Sequence, residues 1–176
     1  MNLYPKMFLK NAKEITYEML EENGILGVIL DVDNTLIDYY KNMLEGIEDW
    51  CNNLKQRGIK FCIVSNSNKK EKVSMVAKKL DIPYIYFAKK PLKNGLKRAA
   101  KIMEIENKNV AVVGDQIFTD VLGANRTGMY SILVEPIEEK DIFITVVKRP
   151  IENYIKKKYQ GKVEEHERGR KKDVYK

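Results

Sequence analysis

The chain has 176 residues, of which 44% are hydrophobic and 32% are charged, a balance typical of one folded domain with a hydrophobic core. No apolar run approaches the roughly 18 residues that span a membrane, and the N-terminus lacks an apolar segment followed by a cleavage site, so we expect neither a transmembrane helix nor a signal peptide. The two cysteines exclude a disulfide framework and a zinc site, and we expect a cytoplasmic protein.

The net charge of +7 is concentrated at the C-terminal end of the chain. Residues 148–176 contain 11 Lys/Arg and 5 Asp/Glu, so this segment alone carries +6. The stretch "GKVEEHERGRKKDVYK" has almost no apolar residues and is typical of a flexible tail. We therefore expect a single domain over 1–160, followed by a charged tail over 161–176.

Strand and helix patterns alternate along the chain. Short apolar runs rich in β-branched residues predict five buried strands, at 25–31, 59–65, 83–87, 109–114 and 130–135. Helical spacing of apolar residues predicts helices at 12–22, 42–57, 69–80, 92–105 and 118–127. Continuous apolar strands suit a parallel sheet covered on both faces, so the sequence predicts a Rossmann-like, doubly wound α/β fold, a three-layer sandwich.

Polar side chains follow four of the predicted strands, at the point where each strand ends. Ligands of open α/β sheets bind at the carboxyl ends of the strands, so these residues form the candidate site. The candidates are Asp31, Asp33, Thr35, Ser65, Asn66, Lys90, Asp115 and Asp120.

The residue types at this edge predict phosphoryl transfer. Several carboxylates on one edge repel each other unless a hard cation joins them, and oxygen-only ligands favour Mg²⁺. A hydroxyl, main-chain N–H groups and a lysine ammonium together make an anion pocket. An aspartate can then act as the nucleophile, and a second carboxyl two residues later can transfer the proton.

The motifs "DVDNT", "SN", "KKP" and "GDQIFTD" occur in this order after successive strands and together resemble the haloacid dehalogenase (HAD) superfamily. The segments "DVDNTL", "GDQIFTDVLGANRTGM" and "VEPI" resemble the YqeG-type HAD-IIIA phosphatases, a family similar to the mitochondrial phosphatase of phosphatidylglycerophosphate. The superfamily motifs cover residues 25–135, and the finer resemblance covers nearly the whole chain before the tail.

The resemblance implies a role for each carboxylate. Asp31 is the nucleophile and a Mg²⁺ ligand, and Asp33 is the general acid/base with its main-chain carbonyl on the metal. Asp115 is a further metal ligand, and Thr35 braces the turn. Asp120 supports either the metal or the active-site lysine.

The resemblance also implies a phosphate pocket. Ser65 and the Asn66 amide hold the phosphoryl oxygens, and Lys90 neutralises the phosphate and Asp31. Lys89 is adjacent and equally basic, and the position before Pro91 favours Lys90.

The spacing of the motifs leaves no room for a cap domain. Only 29 residues separate Thr35 from Ser65, and 24 separate Ser65 from Lys90. Each interval is just long enough for one helix and one strand. We therefore expect an open site that suits a phosphate displayed on something large, such as a lipid surface, a protein or a nucleic acid. The resemblance implies phosphatidylglycerophosphate.

A basic amphipathic helix is predicted near the C-terminus. Its apolar face would contain Phe143, Val147, Ile151, Tyr154 and Ile155, and its basic residues include Lys156, Lys157 and Lys158. Such a helix suits either peripheral attachment to a membrane surface or docking on the domain with a solvated basic face. Nucleic-acid binding also fits the charge, although no aromatic stacking motif accompanies it.

Two other functions remain open from the sequence. One is a phosphatase for a phosphorylated protein or nucleic acid. The other is a non-enzymatic module, either a receiver-like phospho-acceptor or a basic protein that associates with RNA or membranes. The filled set of catalytic positions favours the enzyme.

Overall fold

The structure is a computed structural model that describes residues 2–138, 143–154 and 157–158. The chain divides into two compact units, Met1–Glu138 and Glu139–Lys176. We describe each unit by itself.

The first unit is built on a parallel sheet of six strands. Its spatial order is β1-β6-β5-β2-β3-β4, and every pair of neighbours is parallel. The strands are β1 (Met7–Leu9), β2 (Gly27–Leu30), β3 (Lys60–Val64), β4 (Tyr84–Ile85), β5 (Val110–Gly114) and β6 (Tyr130–Val134).

Five α-helices cover the two faces of this sheet. They are α1 (Tyr17–Glu22), α2 (Ile47–Gln56), α3 (Lys70–Leu80), α4 (Lys93–Met103) and α5 (Leu122–Thr127). Successive residues of a strand point to opposite faces, so Val28 of β2 belongs to the hydrophobic core under α2 and α3, whereas Ile29 belongs to the core under α4 and α5. The predicted doubly wound α/β sandwich is confirmed, and residues 2–138 contain no inserted cap domain.

One strand was missed, and two predicted helices had wrong bounds. Strand β1 was missed because its three residues are only partly buried and it is held by pairing with β6. The predicted helix 12–22 is a 3₁₀ turn and a separate α1, because Thr16 is extended and caps the new helix at the Met19 N–H. Helix α2 begins at Ile47 rather than at 42, since Gly46 adopts the left-handed conformation with φ 75°.

The second unit is described only in part. Phe143–Lys148 is π-helical, and residues 149–154 are α-helical. Ile155, Lys156 and the predicted tail over 161–176 lie outside the described residues, so the predicted boundaries of the domain and tail stay predictions. Among the helices that the structure describes, none is long and apolar enough to cross a membrane.

Candidate active site

The candidate site lies at the carboxyl edge of the central strands. Strands β5, β2 and β3 are neighbours, so the residues that follow them meet at one place. Asp31 follows β2, Ser65 follows β3 and Asp115 follows β5, and all three are buried. The strand order therefore brings together residues that are more than 80 positions apart in the sequence.

Lys90 forms the centre of the site. Its Nζ lies 2.8 Å from Oδ1 of Asp31 and 2.7 Å from Oδ1 of Asp120, and its side chain is almost fully buried. Burial alone would lower the pKa of Lys90, but the two carboxylates raise it above its usual value. The neighbouring Lys89 is exposed and lies over the Phe87 ring instead, so it is Lys90 that reaches the carboxylates.

Asp31, Asp115 and Asp120 form a compact acidic cluster. One oxygen from each lies within 4.8 Å of the others, and all three residues are buried. Burial, and then repulsion from Asp31 and Asp120, raises the pKa of Asp115 to about 7. Burial likewise raises the pKa of Asp31, against the opposing effect of Lys90. The cluster is therefore short of positive charge.

Neighbouring groups hold two of these carboxylates in place. Asp115 accepts a long hydrogen bond of 3.4 Å from the Thr35 hydroxyl, and Asp120 accepts one of 3.2 Å from the Gln116 N–H. A side chain at Gly114 would overlap the Asp120 carboxylate, so this position requires glycine. Asp120 thus bridges Lys90 and the main chain that follows β5.

Asn66 fastens the loop that carries Lys90. Its Oδ1 accepts a hydrogen bond of 2.6 Å from the Lys90 N–H, and its Nδ2 donates one of 2.9 Å to the Lys90 carbonyl. The Ser65 hydroxyl oxygen accepts a hydrogen bond of 3.1 Å from the Ser67 N–H. The Asn66 side chain therefore positions Lys90, a role that the sequence analysis did not assign.

Asp33 stands apart from the acidic cluster. Its side chain is 48% exposed, and its Oδ1 lies 2.5 Å from Nζ of Lys72, in the first turn of α3. Lys72 was not among the residues predicted from the sequence. A signal was present, because lysines at 69, 70 and 72 at the start of a helix oppose the helix dipole and therefore indicate another role.

The geometry thus combines a lysine-bound aspartate, a cluster of carboxylates, a buried serine and a more exposed aspartate. The model of the mitochondrial PGP phosphatase family matches residues 1–138. This chain belongs to that family. It is also 41% identical over 152 residues to the probable phosphatase YqeG of Bacillus subtilis, covering 86% of this chain and 88% of that protein.

A more distant relative is known from a plant. Phosphatidylglycerophosphate phosphatase 1 of Arabidopsis thaliana, chloroplastic/mitochondrial, is 25% identical over 158 residues, which are 82% of this chain and 45% of that protein. The family match and the Bacillus relative make the chain a phosphatase, a phosphoric monoester hydrolase.

Solved structures share the fold. A protein assigned as a HAD family hydrolase from Streptomyces avermitilis aligns with a TM-score of 0.52 and 22% identity, over 64% of this chain and 67% of that one. An uncharacterized protein from Listeria monocytogenes aligns with a TM-score of 0.54 and 19% identity, over 66% and 84% of the two chains. These alignments show the shared fold, and the resemblance to the YqeG-type phosphatases seen in the sequence is confirmed by the family match and the Bacillus relative.

Proposed function

We propose that this protein is a magnesium-dependent phosphatase that converts phosphatidylglycerophosphate into phosphatidylglycerol through a phosphoryl group held on Asp31. The observation that carries the proposal is the buried contact of Lys90 with both Asp31 and Asp120, beside Asp115. In this arrangement the carboxylate of Asp31 lies at the end of a central strand, where a lysine orients it and further carboxylates are close by. The family name and the Arabidopsis relative support the lipid substrate.

In the first step, Asp31 acts as the nucleophile. Lys90 holds its Oδ1, so Oδ2 is the oxygen that attacks the phosphorus. A bond forms between Oδ2 and phosphorus, and the bond between phosphorus and the ester oxygen breaks. Asp33 donates a proton to that departing oxygen, which leaves as the alcohol.

In the second step, water removes the phosphoryl group from Asp31. Asp33, now ionised, takes a proton from the water molecule as the water oxygen attacks the phosphorus. The bond to Asp31 breaks, and inorganic phosphate leaves. Because Asp33 is about half exposed, it can reach both the departing alcohol and the incoming water.

The phosphoryl oxygens are bound by Ser65, the main-chain N–H of Asn66 and Lys90. The Ser65 oxygen already accepts a hydrogen bond from Ser67, so its own O–H is the donor available to a phosphoryl oxygen. Lys90 supplies positive charge to the transferring group, where charge stabilisation accounts for much of the catalysis.

The acidic cluster fits a magnesium ion. Its donors are carboxylate oxygens, and three buried carboxylates face one lysine, so the site lacks positive charge. Asp31, Asp115 and the main-chain carbonyl of Asp33 would hold the ion, while Asp120, bound to Lys90 and to Gln116, supports the site. Mg²⁺ bound there would supply positive charge to the phosphoryl oxygens.

A lipid substrate fits the openness of the site. Between the motifs, the first unit has only a loop with α2 and β3, and then α3 and β4, so no inserted domain covers the site within residues 2–138. We place the protein in the cytoplasm, at the surface of a membrane. The helical segment near the C-terminus, where Lys157 and Lys158 are exposed, would add attraction to anionic lipids.

The proposal is tested by phosphate release from phosphatidylglycerophosphate in mixed micelles, with Mg²⁺ and with EDTA, beside a small aryl phosphate. We expect release that requires Mg²⁺, strongly favours the lipid and is absent in Asp31→Asn. Release from the aryl ester alone would overturn the lipid substrate and favour a phosphorylated protein or nucleic acid. Release from neither would favour a binding role.

A further inference from the structure

Two loops beside the active site form one continuous surface. The loop after β3 and the loop after β4 are joined by hydrogen bonds of 2.9 Å, from the Phe87 N–H to the Ser67 carbonyl and from the Ala88 N–H to the Ser65 carbonyl. Ser65 belongs to the first loop and Lys90 to the second. Any partner that contacts this surface therefore lies next to the phosphate pocket.

Large apolar side chains are exposed on this surface. The exposed fractions are 40% for Tyr86, 53% for Phe87 and 52% for Leu92, all within the loop that carries Lys90. Exposed aromatic residues are also concentrated at this edge of the first unit. Within residues 2–138, those that follow the carboxyl ends of strands are Tyr39, Tyr40, Tyr86, Phe87 and Phe118, and Tyr4 alone is elsewhere. Clustered exposed apolar groups mark an interaction site.

Exposed lysines surround these apolar side chains. They are Lys69, Lys70, Lys89 and Lys93, whereas the two segments 66–72 and 86–93 contain one acidic residue, Glu71. The Lys89 ammonium lies 5.0 Å from the Phe87 ring centre, and the Lys70 ammonium lies 5.9 Å from the Tyr86 ring centre. Each of these two rings thus has a lysine ammonium beside it.

The helix dipoles make these lysines unfavourable without a partner. Helices α3 and α4 each have 11 residues and begin at this edge, α3 with Lys70 and α4 with Lys93. The N-terminus of a helix carries partial positive charge and favours anions, so lysines there cost stability. An anionic surface would offset the charge of both the lysines and the two helix ends.

We infer that the loop patch, consisting of Lys69, Lys70, Tyr86, Phe87, Lys89 and Leu92, docks on the surface of an anionic lipid bilayer. The aromatic rings and Leu92 enter the headgroup region, and the lysines contact lipid phosphates. The choice of a lipid surface rests on the proposed function. A bilayer fits better than a nucleic acid, because Leu92 gains from an apolar layer and has no π-face for stacking on a base.

The test measures binding of the full chain to vesicles of phosphatidylglycerol with phosphatidylcholine, and to vesicles of phosphatidylcholine alone, by co-flotation. These vesicles contain no phosphomonoester, so binding is measured apart from catalysis. The variants are F87S/L92S and K69E/K70E. Matched controls are L26S, at the opposite edge of the sheet, and K78E/K79E, at the other end of α3.

We expect each patch variant to bind phosphatidylglycerol vesicles about tenfold or more weakly, and the controls to bind like the unmodified chain. Thermal unfolding shows whether each variant is folded, and the charge-reversal pair tests the inference even if the apolar pair unfolds. The inference is overturned if the unmodified chain does not prefer phosphatidylglycerol vesicles, or if folded patch variants bind undiminished. It is also overturned if the patch variants lose binding to a single-stranded oligonucleotide while vesicle binding is unchanged.

The two proposals fail separately. Hydrolysis of phosphatidylglycerophosphate in detergent micelles without vesicle binding would overturn docking and leave the proposed function standing. Vesicle binding that depends on the loop patch, without hydrolysis of that lipid, would support docking and overturn the proposed substrate.

Discussion

The ammonium of Lys72 lies 2.5 Å from the carboxylate of Asp33, joining the first turn of α3 to the turn that follows β2. The Asp33 side chain is 48% exposed and that of Lys72 only 15% exposed, so the lysine is the more buried partner. Lys72 thus fixes the orientation of the residue that we propose as proton donor, without burying it.

Removing this contact should lower the turnover rate more than substrate affinity. In Lys72→Met we expect kcat for an aryl phosphate to fall by about tenfold to a hundredfold, because a misplaced catalytic group can cost that much. The variant Lys72→Arg should retain most activity, and Lys78→Met, on the same helix, should behave like the unmodified chain. An unchanged kcat with a raised KM would instead mean that Lys72 contacts the substrate.

Replacing Asp33 itself should remove the proton transfer. For Asp33→Asn we expect kcat to fall by about 10²–10⁴, the usual scale for a lost general acid/base. The unfolding temperature should change little, because the side chain is about half exposed. Steady-state phosphate release measures the loss, and an unaltered rate would mean that another group transfers the proton.

The two hydrogen bonds from the Asn66 side chain to the Lys90 main chain should matter for stability. In Asn66→Ala we expect a loss of about 1–3 kcal/mol in the free energy of unfolding, because both main-chain groups lose a partner. Activity should fall as well, since Lys90 loses its position. Asn68→Ala, in the same loop, is the control, and urea denaturation gives the comparison; equal stability of the two variants would contradict this role.

The raised carboxylate pKa values predict how stability depends on pH and Mg²⁺. Burial raises the pKa of Asp115 to about 7, so the folded chain holds this proton more tightly than the unfolded chain. This residue's contribution to stability without metal is therefore present at low pH and is lost as the pH rises from about 4 to about 7.

The proposed Mg²⁺ ion would bind the ionised carboxylates, so Mg²⁺ should raise the unfolding temperature more at about pH 8 than at about pH 5. Calorimetry with Mg²⁺ and with EDTA checks this. Asp115→Asn should weaken the effect of Mg²⁺, and a metal effect of the same size at both pH values would contradict the assignment of the cluster.

The sequence was most informative about the central strands and the carboxylates that directly follow them. Asp31 and Asp115 directly follow apolar runs, and burying carboxylates at strand ends is costly unless they have partners, which made them conspicuous. The central strands were equally clear, because β2 and β5 are buried on both faces and therefore read as continuous apolar runs. These features are local, so one sequence was enough to predict them.

Features that depend on tertiary contacts were not predictable. Strand β1 has three partly buried residues, and its pairing with β6 makes it a strand. No pattern within these three residues predicts that pairing. The contact between Lys72 and Asp33 spans 39 positions, and the hydrogen bonds of Asn66 to Lys90 span 24. Only the arrangement of β2, β3 and β4 side by side places these residues together.

The most direct test of the account is to trap the phosphoryl group on the protein. The Asp33→Asn variant, incubated with an aryl phosphate and Mg²⁺ and quenched with acid, should accumulate a phosphorylated form, since an aryl oxygen leaves without a donated proton and the variant lacks the residue that activates water. Peptide mass spectrometry should locate one phosphoryl group on Asp31, in a linkage that hydroxylamine cleaves, and Asp31→Asn should show none. A phosphoryl group on another residue, or turnover retained in Asp31→Asn, would contradict the account.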